Sequence, residues 1–223
     1  MPGPSSARSQ ALLGAFFCVV VWGVNYPATK IAYRSFSPLA YTGWRFVVAA
    51  ALILGWAARN GAPFLPPPGL RRYGLLLALV GIGVYQPIFA VGVSRTSGFA
   101  AALLNSVSPL LALLFVATLG YERIPRVAAA GTVVAWLGVA GFLYSAHGSA
   151  DLGGLSGNLL CLASATLWAG YSVASSRLST RIPYATALAT TFLLGTPVLL
   201  AWCLPSMLRQ DYGAVPPGTW VIL

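Results

Sequence analysis

Cys18-Val-Val-Val-Trp-Gly-Val-Asn-Tyr-Pro-Ala-Thr-Lys30 decides how this chain is read. The stretch lies in the first long apolar segment, yet it carries polar side chains. Read as a helix, Trp22, Asn25, Tyr26, Thr29 and Tyr33 fall at i, i+3, i+4, i+7 and i+11, on one face. A lipid-facing helix has no use for an amide, two phenols and an indole in one stripe. A helix lining a cavity inside a bundle does. A polar seam packed against a neighbouring helix would use the same stripe. Pro27 removes the hydrogen bond to the Gly23 carbonyl, which predicts a bend there.

Working outward, the rest of the chain has the composition of a membrane protein. Of 223 residues, 58% are hydrophobic and 7% charged, against about 25% charged in soluble domains. The charges punctuate uncharged runs at 9–29, 46–58, 73–94, 96–121, 127–150, 152–176 and 182–208. All but the second exceed the ~18 residues of a spanning signal, and the second does so if Arg45 lies within it. About seven helices are expected, near 11–33, 39–58, 73–94, 99–119, 126–146, 155–176 and 184–204. The 59–72 loop, with Pro63, Pro66, Pro67 and Pro68, is expected to be non-helical. The end, Trp220-Val-Ile-Leu223, reads as the start of an eighth span.

The net charge of +10 does not indicate nucleic acid, because the basic residues sit between spans rather than in one patch. With the N-terminus inside, eight Lys and Arg fall on the inner face and four on the outer, with Arg45 in the membrane. The N-terminus is therefore expected to be cytoplasmic. Cys18, Cys161 and Cys203 lie in apolar spans without a pairing pattern and read as small core residues.

Sliding the chain by 146 residues aligns Trp22 with Trp168, Phe46 with Phe192, Leu54 with Leu200 and Trp56 with Trp202. The polar stripe recurs too, Asn25 meeting Tyr171 and Thr29 meeting Ser175. The repeat unit is five helices, an odd number, so a second copy enters the membrane from the opposite side. That is an inverted-topology repeat, with a site expected between the copies. The chain supplies about two helices of the second copy, so the sequence reads as partial or as completing itself with a partner, such as a homodimer mate.

Several stretches then resemble a known family, the EamA-type permeases of the drug/metabolite transporter superfamily. They are Trp22-Gly-Val-Asn25 with Lys30, Ser37-Pro38 followed by Trp44-Arg45-Phe46, Ala100 to Pro109-Leu, and Leu119-Gly-Tyr-Glu122-Arg-Ile-Pro125. Ala165-Thr-Leu-Trp168-Ala-Gly-Tyr171 resembles the opening of the second domain. The resemblance implies ten helices in two inverted halves, a central cavity and export or exchange of small metabolites. This chain departs from the pattern by ending after about seven helices.

Candidate site residues follow from polar groups at membrane depth. Trp22, Asn25, Tyr26, Tyr85, Gln86, Asn105, Trp168 and Tyr171 are expected to face one central space and bind substrate. Pro27, Pro87 and Pro109 mark helix breaks, and Pro109 frees the Asn105 carbonyl. For each, a packing kink or an interhelical hydrogen bond is the competing explanation. Arg45 lies deep, and intramembrane charge points to function. Lys30 is expected to snorkel to the headgroups. Glu122 reads as a helix cap or an arginine partner, and His147 as a solvated loop residue. The three acids, Glu122, Asp151 and Asp211, all lie outside the spans. No catalytic, metal or cofactor set is expected, because clustered acids or histidines are lacking.

The sequence thus predicts an all-α polytopic membrane protein of inverted five-helix repeats, the second incomplete. Residues 1–10 form a cytoplasmic tail, 11–146 the first repeat, 147–154 a linker and 155–223 the start of the second. A secondary transporter of a small, amino-acid-like metabolite in a bacterial inner membrane is expected, not an enzyme. A non-transporting membrane scaffold, a remnant of such a transporter, is the alternative. Its expected partners are the lipid bilayer and a small-molecule substrate, with no nucleic acid.

Overall fold

The computed structural model describes residues 4–121, 124–145 and 154–222. Helix α1 runs from Pro4 to Ala32 and α2 from Pro38 to Arg59. Next come a 3-10 turn over Pro68–Leu70, α3 over Arg71–Ala78, a π-helical segment over Leu79–Val84 and α4 over Tyr85–Arg95. Then follow α5 (Gly98–Asn105), α6 (Ser108–Thr118), α7 (Arg126–Ser145), α8 (Leu155–Ser179), α9 (Tyr184–Arg209) and α10 (Pro217–Trp220). Among the described residues six stretches are long and apolar enough to cross a membrane: Leu12–Ala32, Pro38–Arg59, Pro68–Arg95, Gly98–Thr118, Leu155–Ser179 and Tyr184–Arg209. Arg126–Gly141 is a shorter apolar stretch within α7. The protein is an all-helical polytopic membrane protein.

Several boundaries differ from the sequence expectation, α9 among them, which runs through Pro205 to Arg209 instead of ending near 204. α1 begins at Pro4, inside the stretch read as a tail, because proline is well suited to the first turn of a helix. The proline-rich loop gives way to a helical turn at Pro68, for the same reason, and Arg71 and Arg72 are already in α3. Glu122, His147 and Asp151 lie outside the described residues, as does the 147–154 linker up to residue 153.

The bundle is held by small residues. On α8, Gly157, Cys161, Ser164, Ala165 and Ala169 are buried at a spacing that makes one face. Lipid offers no hydrophobic drive for helices to associate, so close backbone approach through small residues is the available device. A Cβ on Gly157 would stand 2.5 Å from the Arg95 carbonyl carbon, and one on Gly195 would stand 2.6 Å from the Ala78 oxygen. Those two glycines seat α8 and α9 against the α3–α4 span. α2 and α9 run antiparallel, since the Ser37 amide at the start of α2 donates to Gln210 Oε1 at the end of α9 (2.7 Å). Phe46, Ile82, Leu199 and Cys203 form the core between them. Trp136 and Val139 of α7 pack on Val107, Leu111, Ala165 and Ala169. α1 is the least enclosed span, with Leu13, Phe16, Phe17 and Val19 all exposed.

Candidate functional site

The stripe of α1 meets the stripe of α8 through aromatic rings. Trp22 and Trp168 stand edge to face with centroids 5.8 Å apart. Trp168 also contacts Tyr85 (5.2 Å) and Tyr171 (5.3 Å). Tyr85 touches Phe89 (5.7 Å), which reaches Tyr26 at 6.1 Å. Five of the eight expected residues thus join one aromatic cluster across α1, α4 and α8. Trp22 sits at its edge and is 59% exposed. Phe89 belongs to the cluster without standing out in the sequence, because a lone Phe in an apolar run carries no signal.

The remaining three are the amides. Asn25 and Gln86 are half-buried on α1 and α4. Asn105 is tied to α8, its Oδ1 accepting from Ser164 Oγ at 3.3 Å while its Nδ2 donates to the Ala101 carbonyl at 2.9 Å. A cleft of about 800 Å³ runs from Tyr26 and Pro27 past Lys30 and Tyr33 to Ser94, Phe99 and Ala102, between α1 and the α4–α5 corner. Its charged lining residues are Lys30 and Arg34.

The prolines act differently from one another. α1 is one uninterrupted helix through Pro27, so the expected bend leaves no break. Pro87 follows the wide-turn segment Leu79–Val84, where the helix absorbs the missing donor. Pro109 does break its span: α5 ends at Asn105 and α6 starts at Ser108. The Asn105 carbonyl accepts from Ser108 Oγ at 2.6 Å.

Lys30 does not snorkel. Its Nζ donates to the carbonyls of Val93 (3.0 Å) and Thr96 (2.7 Å), which end α4. Those carbonyls lack helical partners and carry the negative end of the helix dipole, so an ammonium is well matched to them. The same corner is gripped from α8. Thr96 Oγ1 donates to Asn158 Oδ1, and the Gly154 amide donates to the Arg95 carbonyl at 3.0 Å. Arg45 is half-buried on α2, and its charge is felt by the phenols of Tyr33, Tyr41 and Tyr85. At the opposite end, the Arg177 guanidinium stands 3.3 Å over the Tyr121 ring, and Tyr121 lines a small apolar pocket of about 150 Å³ with Phe115, Gly170 and Val173. Among the described residues no three His, Cys, Asp or Glu side chains gather into a metal site.

The family model described as "EamA-like transporter family" matches residues 9–144. The Escherichia coli K12 protein named "Uncharacterized inner membrane transporter YedA" is 31% identical over 176 residues, covering 75% of this chain and 54% of that protein. A Salmonella typhimurium protein named "Probable amino-acid metabolite efflux pump" is 26% identical over 197 residues, 88% of this chain and 63% of that protein. The chain therefore spans between about half and two thirds of the length of these curated relatives. A solved protein described only as "Crystal structure of protein" aligns with TM-score 0.64 at 27% identity, over 96% of this chain and 72% of that one.

Proposed function

Because the chain belongs to the EamA-like transporter family, we propose that it works as a secondary transporter, a permease or exporter, for a small amino-acid-like metabolite. One observation carries this reading: the cluster of Trp22, Tyr26, Tyr85, Phe89, Trp168 and Tyr171 gathers rings from three helices at membrane depth. Its Tyr26 also lines the cleft at Lys30. Aromatic faces with phenol and indole tips suit a solute with an apolar body and polar ends. Arg45, half-buried on α2, would supply the counter-ion for a carboxylate. Asn25, Gln86 and Asn105 would add amide contacts, with the breaks at Pro87 and Pro109 leaving irregular backbone beside the path.

The pairs Trp22–Trp168 and Phe46–Phe192 support inverted five-helix repeats with the binding space between them. The lysine and arginine bias supports an inner membrane placement with a cytoplasmic N-terminus, so that the Lys30 end faces the periplasm. The relative named as an amino-acid metabolite efflux pump supports the solute class. The test is counterflow of labelled amino acids in vesicles carrying the protein, with Trp168→Ala alongside. Exchange above empty vesicles, lost in the variant, is expected. No exchange of any amino acid would overturn the solute assignment.

A further inference from the structure

Lys30 makes an unusual pair of bonds for a lysine at the end of a membrane helix. It reaches 63 and 66 residues along the chain to the carbonyls of Val93 and Thr96. A snorkelling lysine would point to the headgroups; this one turns back across the bundle. Thr96 is held independently by Asn158, and Arg95 by the Gly154 amide. Gly157 packs with no room for a Cβ against the same peptide. The α4 end is therefore fixed to α8, and Lys30 fixes α1 to that corner. α1 itself is loosely enclosed, with most of its apolar side chains exposed. Beneath Lys30, Tyr26 packs on the core of Phe89, Val93 and Cys161, and the cleft runs along the same side of α1.

We propose that Lys30 is a positioning residue of the transport path, a latch whose bonds to the Val93 and Thr96 carbonyls hold the end of α1 shut against the α4–α8 corner. The inference rests on the transporter reading above. When the ammonium lets go, α1 moves away from the corner, and the Tyr26–Phe89 contact opens to the cleft. The ammonium has three donors, two of them engaged here. Neutral carbonyls are the weaker acceptors, and an anionic group in the cleft that Lys30 lines would compete for it with a charge-assisted bond. A ligand that binds the released form better would shift the population toward it.

Cys161 reports on this motion. It is fully buried, in the cluster that Tyr26 of α1 packs against, so withdrawal of α1 uncovers it. Cys203 is equally buried, but in the α2–α9 core, so it controls for general loosening. The experiment uses the whole chain with Cys18→Ser in nanodiscs, open to a polar thiol reagent from both faces, with modification of each cysteine read by mass spectrometry. Lys30→Met is expected to raise the Cys161 rate about tenfold, since modification tracks the open fraction, while Cys203 stays unchanged. Lys30→Arg, which keeps the donors, should stay near the wild-type rate. Unchanged Cys161 modification in Lys30→Met, or a parallel rise at Cys203, would overturn the latch. Should Lys30→Met fail to accumulate, Lys30→Gln against Lys30→Arg decides: faster Cys161 modification in the glutamine variant supports the latch, and equal rates overturn it. The readout needs no transport. A chain that carries no solute yet shows this pattern loses the transporter reading and keeps the latch.

Discussion

Trp22 and Trp168 stand 146 residues apart in the chain and touch, edge to face, with centroids 5.8 Å apart. Phe46 and Phe192 stand at the same offset and stack at 5.8 Å with 16° between their planes. The pairs join α1 to α8 and α2 to α9, and α2 and α9 run antiparallel. Both features support the proposed inverted repeat, in which an axis in the membrane plane would pass between the copies.

The tryptophan pair should be coupled. In a double-mutant cycle of Trp22→Ala and Trp168→Ala, a coupling of about 1 kcal/mol is expected, the worth of an aromatic pair beyond its area. Thermal unfolding in detergent measures it. Strict additivity would mean the rings touch without stabilising one another.

Glycine packing gives a prediction with its own control. Gly157→Ala and Gly195→Ala drive a methyl into backbone at 2.5–2.6 Å, so each should cost about 1–3 kcal/mol through helix displacement. On α7, a methyl at Gly131 or Gly138 would meet nothing within 4 Å, and alanine there should be neutral or mildly stabilising. Equal melting temperatures across all four variants would remove small-residue seating as the basis of the α8 and α9 contacts.

The break before Pro109 depends on one hydroxyl. Ser108→Ala leaves the Asn105 carbonyl without the bond it accepts at 2.6 Å. The expected loss is about 1 kcal/mol in stability, with Ser108→Thr close to wild type. Melting of the three proteins side by side decides it.

Much of this was legible in the sequence, and for definable reasons. Span positions follow from charge spacing, because a bilayer tolerates few charges at depth. The stripe of α1 and its echo on α8 follow from helical periodicity, and their rings meet. Lys30 departs from expectation because distance from the helix end says where a side chain starts, not which carbonyls lie across from it. Pro27, Pro87 and Pro109 look alike in sequence. Their outcomes differ because the accommodation lies elsewhere, in the wide turn at Leu79–Val84 for one and in the Ser108 hydroxyl for another. The Arg177–Tyr121 contact joins residues 56 apart with no periodic signal at all.

Topology is testable at both ends. Asn60 and Thr180 are exposed in loops on the Arg177 end, and Asp211 is exposed beyond α9 on the Lys30 end. Single cysteines at Asn60 and Thr180 should react only from the cytoplasm, and one at Asp211 only from the periplasm. The reverse pattern would invert the orientation drawn from the basic residues.

Arg45 makes the sharpest demand on the solute. An arginine within a span costs about 2.5–3.5 kcal/mol at insertion even on lenient scales. The groups that feel its charge are the phenols of Tyr33, Tyr41 and Tyr85, which carry no opposing charge. Tyr41 donates its own proton to the Ile222 carbonyl at 2.9 Å. Among the described residues the one acid is Asp211, which accepts from the Gly213 amide at 3.0 Å beyond the end of α9. A carboxylate solute would complete the pairing, and a permanently cationic one would find only ring faces, worth about 1 kcal/mol. Arg45→Gln should therefore weaken transport of amino acids and carboxylates about tenfold or more, the size of a lost charge-assisted bond. Most of that loss should fall on the concentration for half-maximal rate, with Arg45→Lys partly restored. Neutral analogues lacking the carboxylate should be carried equally by both proteins. Efficient transport of quaternary cations, together with unchanged carboxylate transport in Arg45→Gln, would assign Arg45 to the framework and not to the solute.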